Sequence, residues 1–167
     1  MHEGRAWVFG DNVNTDLIIP GKYLDNYDPD HLASHAMEGI RKDFAAHVKV
    51  GDIIIAGMNF GCGSSREQAV IALMQSGVSL VIAKSFGRIF YRNAINLGMP
   101  VITSPNATDA VRDGEMVVVD LDAQVLSSKD GKERVGLDEI PRRAREILDS
   151  GGLIPYIKRR LHGQGAA

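Results

Sequence analysis

Apolar positions along this chain fall into two rhythms. Short unbroken runs, rich in β-branched residues and bounded by turn formers, occur at "RAWVFG" (Arg5–Gly10), "DIIIAGM" (Asp52–Met58), "VSLVIA" (Val78–Ala83) and "PVIT" (Pro100–Thr103). They are too short for helices and read as strands; the middle two read as buried on both faces. Between them, "SSREQAVIALMQSG" (Ser64–Gly77) and "SFGRIFYRNAINLG" (Ser85–Gly98) read as helices. Ser64 and Glu67 have capping-box spacing, Ser85 reads as the second cap, and Gly77 and Gly98 supply the stops. Strand, helix, strand, helix, strand predicts an α/β fold with a parallel sheet and right-handed crossovers.

The flanks follow other rules. "DNVNTDLIIPGKYLDNYD" (Asp11–Asp28) is dense in turn formers and reads as a long functional loop. "DPDHLASHAMEGI" reads as a helix with Asp28 as N-cap, Pro29 at its first position and Gly39 near its end. "EMVVVDLDAQVLSSKDGKERVGL" alternates short β runs around an Asp130–Gly131 turn, which predicts hairpins. "PRRAREILDSGGLIPYIKRRL" predicts a helix from Pro141, a break at Gly151–Gly152 and a last short helix. Its basic end, Lys158–Arg160, is read as solvated.

At 167 residues, with no repeat or low-complexity linker, residues 1–167 are expected to form a single domain. A formal charge of −2, from 19 basic and 21 acidic residues, speaks against a nucleic-acid partner. No apolar run reaches the ~20 residues of a membrane helix, and the N-terminus lacks a signal-peptide profile, so no membrane association and a cytoplasmic location are expected. The single cysteine, Cys62, allows no internal disulfide and no self-contained iron–sulfur site.

The chemistry concentrates in "NFGCGSSREQ" (Asn59–Gln68). It lacks the lysine of a phosphate-binding P-loop, the third glycine of a dinucleotide fingerprint and the second glycine of a hydrolase elbow. It does leave a buried strand at its C-terminal end and enter a helix, where ligands of open α/β sheets bind. The N–H groups of Gly63 to Arg66 favour an anion there. Arg66 adds a fork matched to a carboxylate, and Ser64 or Ser65 a hydroxyl. A plain N-cap beside a solvated arginine explains the spacing equally well.

Three stretches in order, "DNVNTDLIIP", "NFGCGSSREQA" and "SFGRIFYRNAIN", resemble the small subunits of 3-isopropylmalate dehydratase and homoaconitase, the aconitase-like swivelling-domain family. The resemblance runs from about position 4 to 160, through "GGLIPYIKRR". It implies a mixed-sheet, barrel-like α/β swivelling domain that works with a large subunit, as a heterodimer or heterotetramer. It also implies a hydro-lyase that moves a hydroxyl between adjacent carbons of a malate-type acid, as in leucine biosynthesis. In that family a 4Fe–4S cluster on the large subunit is the Lewis acid, so no cofactor or metal is expected on this chain. By the same resemblance Ser64 is the base, helped into range by its positive surroundings, and Asp16 is the acidic partner that orders the network. Gly63 and Ser65 bind substrate oxygens, and Arg66 pairs with a carboxylate.

The family's specificity loop follows "GKYL". Here it reads "YLDNYD", so Asp25 and Tyr27 meet the variable arm of the substrate. Homoaconitases carry an arginine at the Asp25 position in that resemblance; an aspartate repels a distal carboxylate. 2-Isopropylmalate and 3-isopropylmalate therefore rank first. Homoaconitase and a dimethylmalate or citraconate-type dehydratase are the alternatives within the class. A non-catalytic carboxylate-binding module and an RNA-binding module stand outside it. His31 and His35 have a metal-like i, i+4 spacing but lack a zincin glutamate, so a metal site is not expected there. Arg88 and Arg92 read as mainly structural, with Arg92 at the site wall as the alternative. Gly87 stands where the family usually has alanine.

Overall fold

The structure, a computed structural model, describes residues 1–164. Strands β1 (His2–Val8), β2 (Ile53–Ala56), β3 (Leu80–Ala83) and β4 (Val101–Thr103) pair in parallel as neighbours. On the far side of β1, strand β5 (Met116–Asp120) pairs antiparallel, and β6 (Val125–Ser128) and β7 (Arg134–Gly136) extend it as hairpins. The result is one seven-stranded mixed sheet of order β4-β3-β2-β1-β5-β6-β7. β1 starts three residues earlier than its apolar pattern, because His2–Arg5 find partners on β5, over a hundred residues away.

The strand runs carry no polar alternation because both faces of the sheet are covered. Ile53, Ile55, Leu80, Ile82, Val117 and Leu126 fill one face. Trp7, Ile54, Ala56, Val81 and Ala83 point to the other, under the helices. The sheet curls around the first cluster. After β7 the chain returns to the opposite edge, where the Asp138 N–H donates to the Thr103 carbonyl (2.9 Å) and the Ser104 hydroxyl to the Gly136 carbonyl (2.8 Å). The expected barrel-like core is thus a curled half-barrel.

The helices are α1 (Thr15–Ile18), α2 (Pro29–Ser34), α3 (Phe44–His47), α4 (Glu67–Ser76), α5 (Arg88–Leu97), α6 (Ala107–Ala110), α7 (Arg142–Asp149) and α8 (Leu153–Gln164). Gly77 and Gly98 end α4 and α5 in left-handed conformations, φ +107° and +89°, as their positions suggest. Gly151 and Gly152, φ +85° and +126°, separate α7 from α8. Asp28 caps α2, its side chain accepting the His31 N–H, with Pro29 at the first position.

Four readings need correction. The Asp11–Asp28 segment is not all loop: Asn14 accepts the Leu17 N–H and caps α1, and a 3-10 turn follows at Gly21–Tyr23. α2 stops at Ser34, well short of Gly39. Met37 turns to φ +59° and donates its N–H to Ile18, and Gly39 donates to Leu17, so this stretch bonds to α1 instead of extending a helix. α4 begins at Glu67, with Arg66 as N-cap and no side-chain cap bond, so the Ser64–Glu67 capping box does not form. α5 begins at Arg88; the Ser85 hydroxyl accepts the Asn59 N–H (2.8 Å) instead of capping.

Candidate functional site

Three segments leave the C-terminal ends of β1, β2 and β3 and are bonded to one another in sequence. Asn12 N–H donates to the Met58 carbonyl (2.7 Å), Gly61 N–H to Val13 (2.7 Å), and Thr15 N–H to Cys62 (2.9 Å). The Thr15 hydroxyl then donates to the Ser64 carbonyl (3.0 Å), and the Asn59 amide to the Asn12 side chain (3.0 Å). From β3, Phe60 N–H reaches the Ser85 carbonyl (3.0 Å) and Gly87 N–H the Phe60 carbonyl (2.8 Å). Phe60 is buried against Phe90, and the ring of Phe90 leaves no room for a Cβ at Gly61. The lacing holds Gly63 at φ +98°, a conformation that only glycine adopts without strain, and carries the chain outward into Ser64–Arg66.

At that point the bonding stops. Gly63, Ser64 and Ser65 are exposed. Among the described residues, none pairs with the Ser64 or Ser65 hydroxyl or accepts from the N–H groups of Gly63 to Arg66. These amides precede α4 by a turn, so they belong to a loop and not to the helix start that the sequence suggests. A row of exposed backbone donors beside two free hydroxyls suits an anionic or carbonyl oxygen.

Arg66 turns away from bulk solvent toward Asp16. Its Nη1 donates to Asp16 Oδ1 at 3.0 Å and to the Ile19 carbonyl at 3.4 Å; the arginine side chain is 20% exposed and the aspartate 65%. The same Oδ1 accepts the Gly21 N–H (3.0 Å). The Arg66 hydrogen bond and then the Gly21 amide hold the Asp16 carboxyl below the usual carboxylate range. One edge of the guanidinium is thus anchored, and the rest of the fork is left for a second carboxylate.

The segment after Gly21 reaches the helix that follows Arg66. Tyr27 is exposed, and its hydroxyl donates to Glu67, the first residue of α4, at 3.5 Å. Asp25 is exposed and makes no hydrogen bond or ion pair among the described residues. Leu24 packs on the core. The structure thus brings Asp16, Gly63, Ser64, Ser65 and Arg66 together and sets Tyr27 against the start of the next helix.

His31 and His35 do not share a continuous helix, since His35 is the C-cap of α2. The His35 ring stacks on Tyr23 (3.6 Å, 8°), and its Nδ1 bonds Glu38 (2.6 Å), which also accepts the Tyr23 hydroxyl (2.7 Å). Among the described residues no three His, Cys, Asp or Glu side chains converge on a metal position. With Cys62 the only cysteine, the donor set does not fit an iron–sulfur cluster.

Arg88 and Arg92 are not structural in the expected sense. Both are exposed, and neither forms an ion pair or hydrogen bond among the described residues. With Arg143 of α7 they line a cavity of about 580 Å³ outside the Ser64–Arg66 loop. Sequence reasoning also missed Thr15 and Gly21, which fix Ser64 and Asp16. The Asn14-Thr15-Asp16 cap pattern signals Thr15, and no local pattern signals Gly21.

Comparison with known proteins gives a consistent family. Residues 43–107 match the model described as Aconitase C-terminal domain. The chain is 50% identical over 156 residues to the 3-isopropylmalate dehydratase small subunit 1 of Methanopyrus kandleri, covering 93% of this chain and 92% of the relative. It is 52% identical over 159 residues to the methanogen homoaconitase small subunit of Methanocaldococcus jannaschii, covering 95% and 92%. The crystal structure of 3-isopropylmalate dehydratase (leuD) from that organism superposes with a TM-score of 0.93 at 50% identity, covering 98% of this chain and 96% of that one.

Proposed function

The chain belongs to the family of small subunits of 3-isopropylmalate dehydratase and its homoaconitase relatives, and from that premise we propose that it is the small subunit of a hydro-lyase interconverting 2-isopropylmalate and 3-isopropylmalate. The observation that carries the site is the anchored Arg66–Asp16 pair beside the exposed Gly63–Ser65 N–H groups and the Ser64 and Ser65 hydroxyls, which find no partner among the described residues. We read residues 1–167 as one swivelling domain that closes over a partner, with the reaction at a cytoplasmic interface between two chains.

In this reading Arg66 takes a substrate carboxylate on the part of its fork that Asp16 leaves open. The Gly63–Ser65 amides hold the oxygens of the same or a neighbouring carboxylate, where negative charge grows as the adjacent C–H is broken. Ser64 acts as its alkoxide: Oγ takes that proton during dehydration, becoming the hydroxyl, and gives it back during hydration. Among the described residues the side chain bonds nothing else, and the cationic Arg66 and the backbone donors stabilise the alkoxide form. A 4Fe–4S cluster on the large subunit supplies the Lewis acidity, since the donors of this chain do not suit one.

The relatives at similar identity bear both names, so overall likeness does not rank the substrates. The exposed Asp25 does: it places negative charge where a distal carboxylate would arrive, and no arginine stands within Asp25–Asp28 to offset it. With Tyr27 against α4 and Leu24 on the core, the segment suits a small alkyl arm. The test is steady-state kinetics of the chain assembled with its large subunit. An alkyl-substituted malate should show kcat/KM at least about tenfold above homoaconitate, roughly 1.4 kcal/mol, and Asp25→Arg should narrow that gap. Equal or better turnover of homoaconitate would overturn the substrate assignment.

A further inference from the structure

The cavity between α5, α7 and α8 has an apolar floor that includes Ile95, Ile147 and Leu153, under a rim of Arg88, Arg92 and Arg143. Arg88 and Arg92 are one turn apart on α5, a like-charge spacing that weakens a helix slightly and gains nothing for this fold. None of the three meets a carboxylate among the described residues. Their neighbours on α7 do: Arg142 pairs with Glu146 (3.1 Å), and Arg145 with Asp122 (2.8 Å) and Asp149 (3.1 Å). Of the arginines on α5 and α7, those without a carboxylate partner among the described residues are the three that face the cavity.

A second observation comes from α8. Leu153 lines the cavity, and Ile154, Ile157 and Leu161 lie within an arc of roughly 100° from it around the helix. Those three are 67%, 45% and 65% exposed. The cavity floor thus runs on into an uncovered apolar stripe. A third observation is position. α5 is capped by Gly87, whose N–H bonds Phe60 and where a Cβ would come within 2.9 Å of the Cys62 Cα. The Arg88 end of the groove is one residue from that contact, and Ser64 is two residues along the other strand of it.

We propose that this arginine-rimmed face docks an acidic segment of the large subunit that presents apolar side chains to the α8 stripe. The inference rests on the functional reading above, in which a large subunit closes over Ser64–Arg66 and so arrives beside Gly87. A small acid would neutralise the arginines but leave Ile154, Ile157 and Leu161 in water. A second copy of this chain, paired about a two-fold axis, would set the same arginines against one another. A distinct acidic partner satisfies both the charge and the apolar stripe.

The experiment measures the affinity of this chain for the large subunit of 3-isopropylmalate dehydratase from the same organism, by titration calorimetry at low and moderate salt. R92E combined with R143E should weaken binding by about 30-fold or more and flatten its salt dependence; I157E should weaken it by about tenfold. All three positions are exposed, so circular dichroism and Tm should stay as in the parent chain. R143K should keep most of the affinity. At saturating large subunit the R143E enzyme should turn over within about twofold of the parent. If the parent chain binds and the variants bind equally well, the docking face lies elsewhere and the functional reading stands. If the parent chain does not bind the large subunit, both fail. If the parent chain alone self-associates and the variants abolish that instead, the face joins two copies and the inference is overturned.

Discussion

Asp52 stands just before β2, at the N-terminal end of the parallel strands; Asp16 stands beyond β1, at the opposite end, and each touches an arginine. Asp52 is 5% exposed and accepts from Trp7 Nε1 (2.8 Å), Lys49 N–H (3.0 Å), Arg5 N–H (3.2 Å) and Arg5 Nη2 (3.3 Å). Arg5 and Arg41 each lie over the Trp7 ring, and Arg41 pairs with Asp113 at 2.9 Å. One buried donor there, Arg5 Nε, is left without a partner. Asp16 is 65% exposed and both of its bonds fall on one oxygen. The same chemical pair thus serves two purposes. One end of the sheet consumes its polar groups in holding the first two strands together. The other holds one edge of one arginine and leaves the adjacent hydroxyls and amides free, as a ligand site requires.

If that division is right, the largest functional loss lies at the open end. Ser64→Ala in the assembled enzyme should lower kcat by about a thousandfold with KM within a few-fold, as for a base that acts only in the transition state. Its Tm should match the parent, because the hydroxyl bonds nothing among the described residues. Near-normal kcat would remove Ser64 from its role and erase the functional half of the contrast.

The largest structural loss lies at the closed end. Asp52→Ala strips four hydrogen bonds and strands the buried Trp7 N–H, while Arg5 Nη2 keeps only the His47 carbonyl. A cost of about 3 kcal/mol, or roughly 10 °C in Tm for a chain of this size, is expected. With excess large subunit at a temperature where the variant is folded, kcat should be unchanged within about twofold. A stable but inactive variant would mean that the closed end also serves the site.

These two ends differ in how far sequence alone reveals them. The strands at β2 and β3 and the glycine stops of α4 and α5 follow from local pattern, because burial on both faces and left-handed turns leave local traces. Asp52 gave no trace: its partners Trp7 and Arg5 are over forty residues away, and "DIIIAGM" shows only a polar residue before an apolar run. At the open end the glycine- and serine-rich loop is visible, but its shape is not. Ser64 and Glu67 have capping spacing, yet the Thr15 hydroxyl takes the Ser64 carbonyl and α4 waits until Glu67. The resemblance assigns Asp16 and Arg66 to one site, but their direct pairing across 50 residues of sequence is visible only in the structure.

Arg66→Lys sharpens the contrast from the open side. A lysine point charge cannot hold Asp16 with one edge and a substrate carboxylate with another. KM should rise by about tenfold or more, with a smaller loss in kcat and a Tm shift of no more than a few degrees. A KM unchanged by the substitution would show that the unanchored part of the fork is not where the carboxylate binds.

The smallest expected effect is in acid, and it separates the two aspartates by what their charge sustains. Burial pushes the Asp52 carboxyl up, but the bonds from Trp7, Lys49 and Arg5 prevail and hold it below the usual range. Asp16 is held low as well, by Arg66 and then Gly21, but it is exposed. A folded pKa below the unfolded value of about 3.9 means that the ionised form contributes stability above that value, and that the contribution is lost as pH falls through the folded pKa. The carboxylate contribution to Tm should therefore be level above about pH 5 and decline below about 4. Asp130, held at about 2 chiefly by the Ser128 hydroxyl, titrates in the same window in every variant and cancels in the comparison. Asp52→Asn starts from a lower Tm and should lose part of the acid decline, by a few degrees, since no buried charge remains to be protonated there. Asp16→Asn should lose less of the decline than Asp52→Asn, because its ion pair is exposed and screened, while raising KM, because its charge positions Arg66. Equal acid slopes in Asp52→Asn and the parent, or a greater flattening in Asp16→Asn than in Asp52→Asn, would mean that the two carboxylates do not divide stability and binding between them in this way.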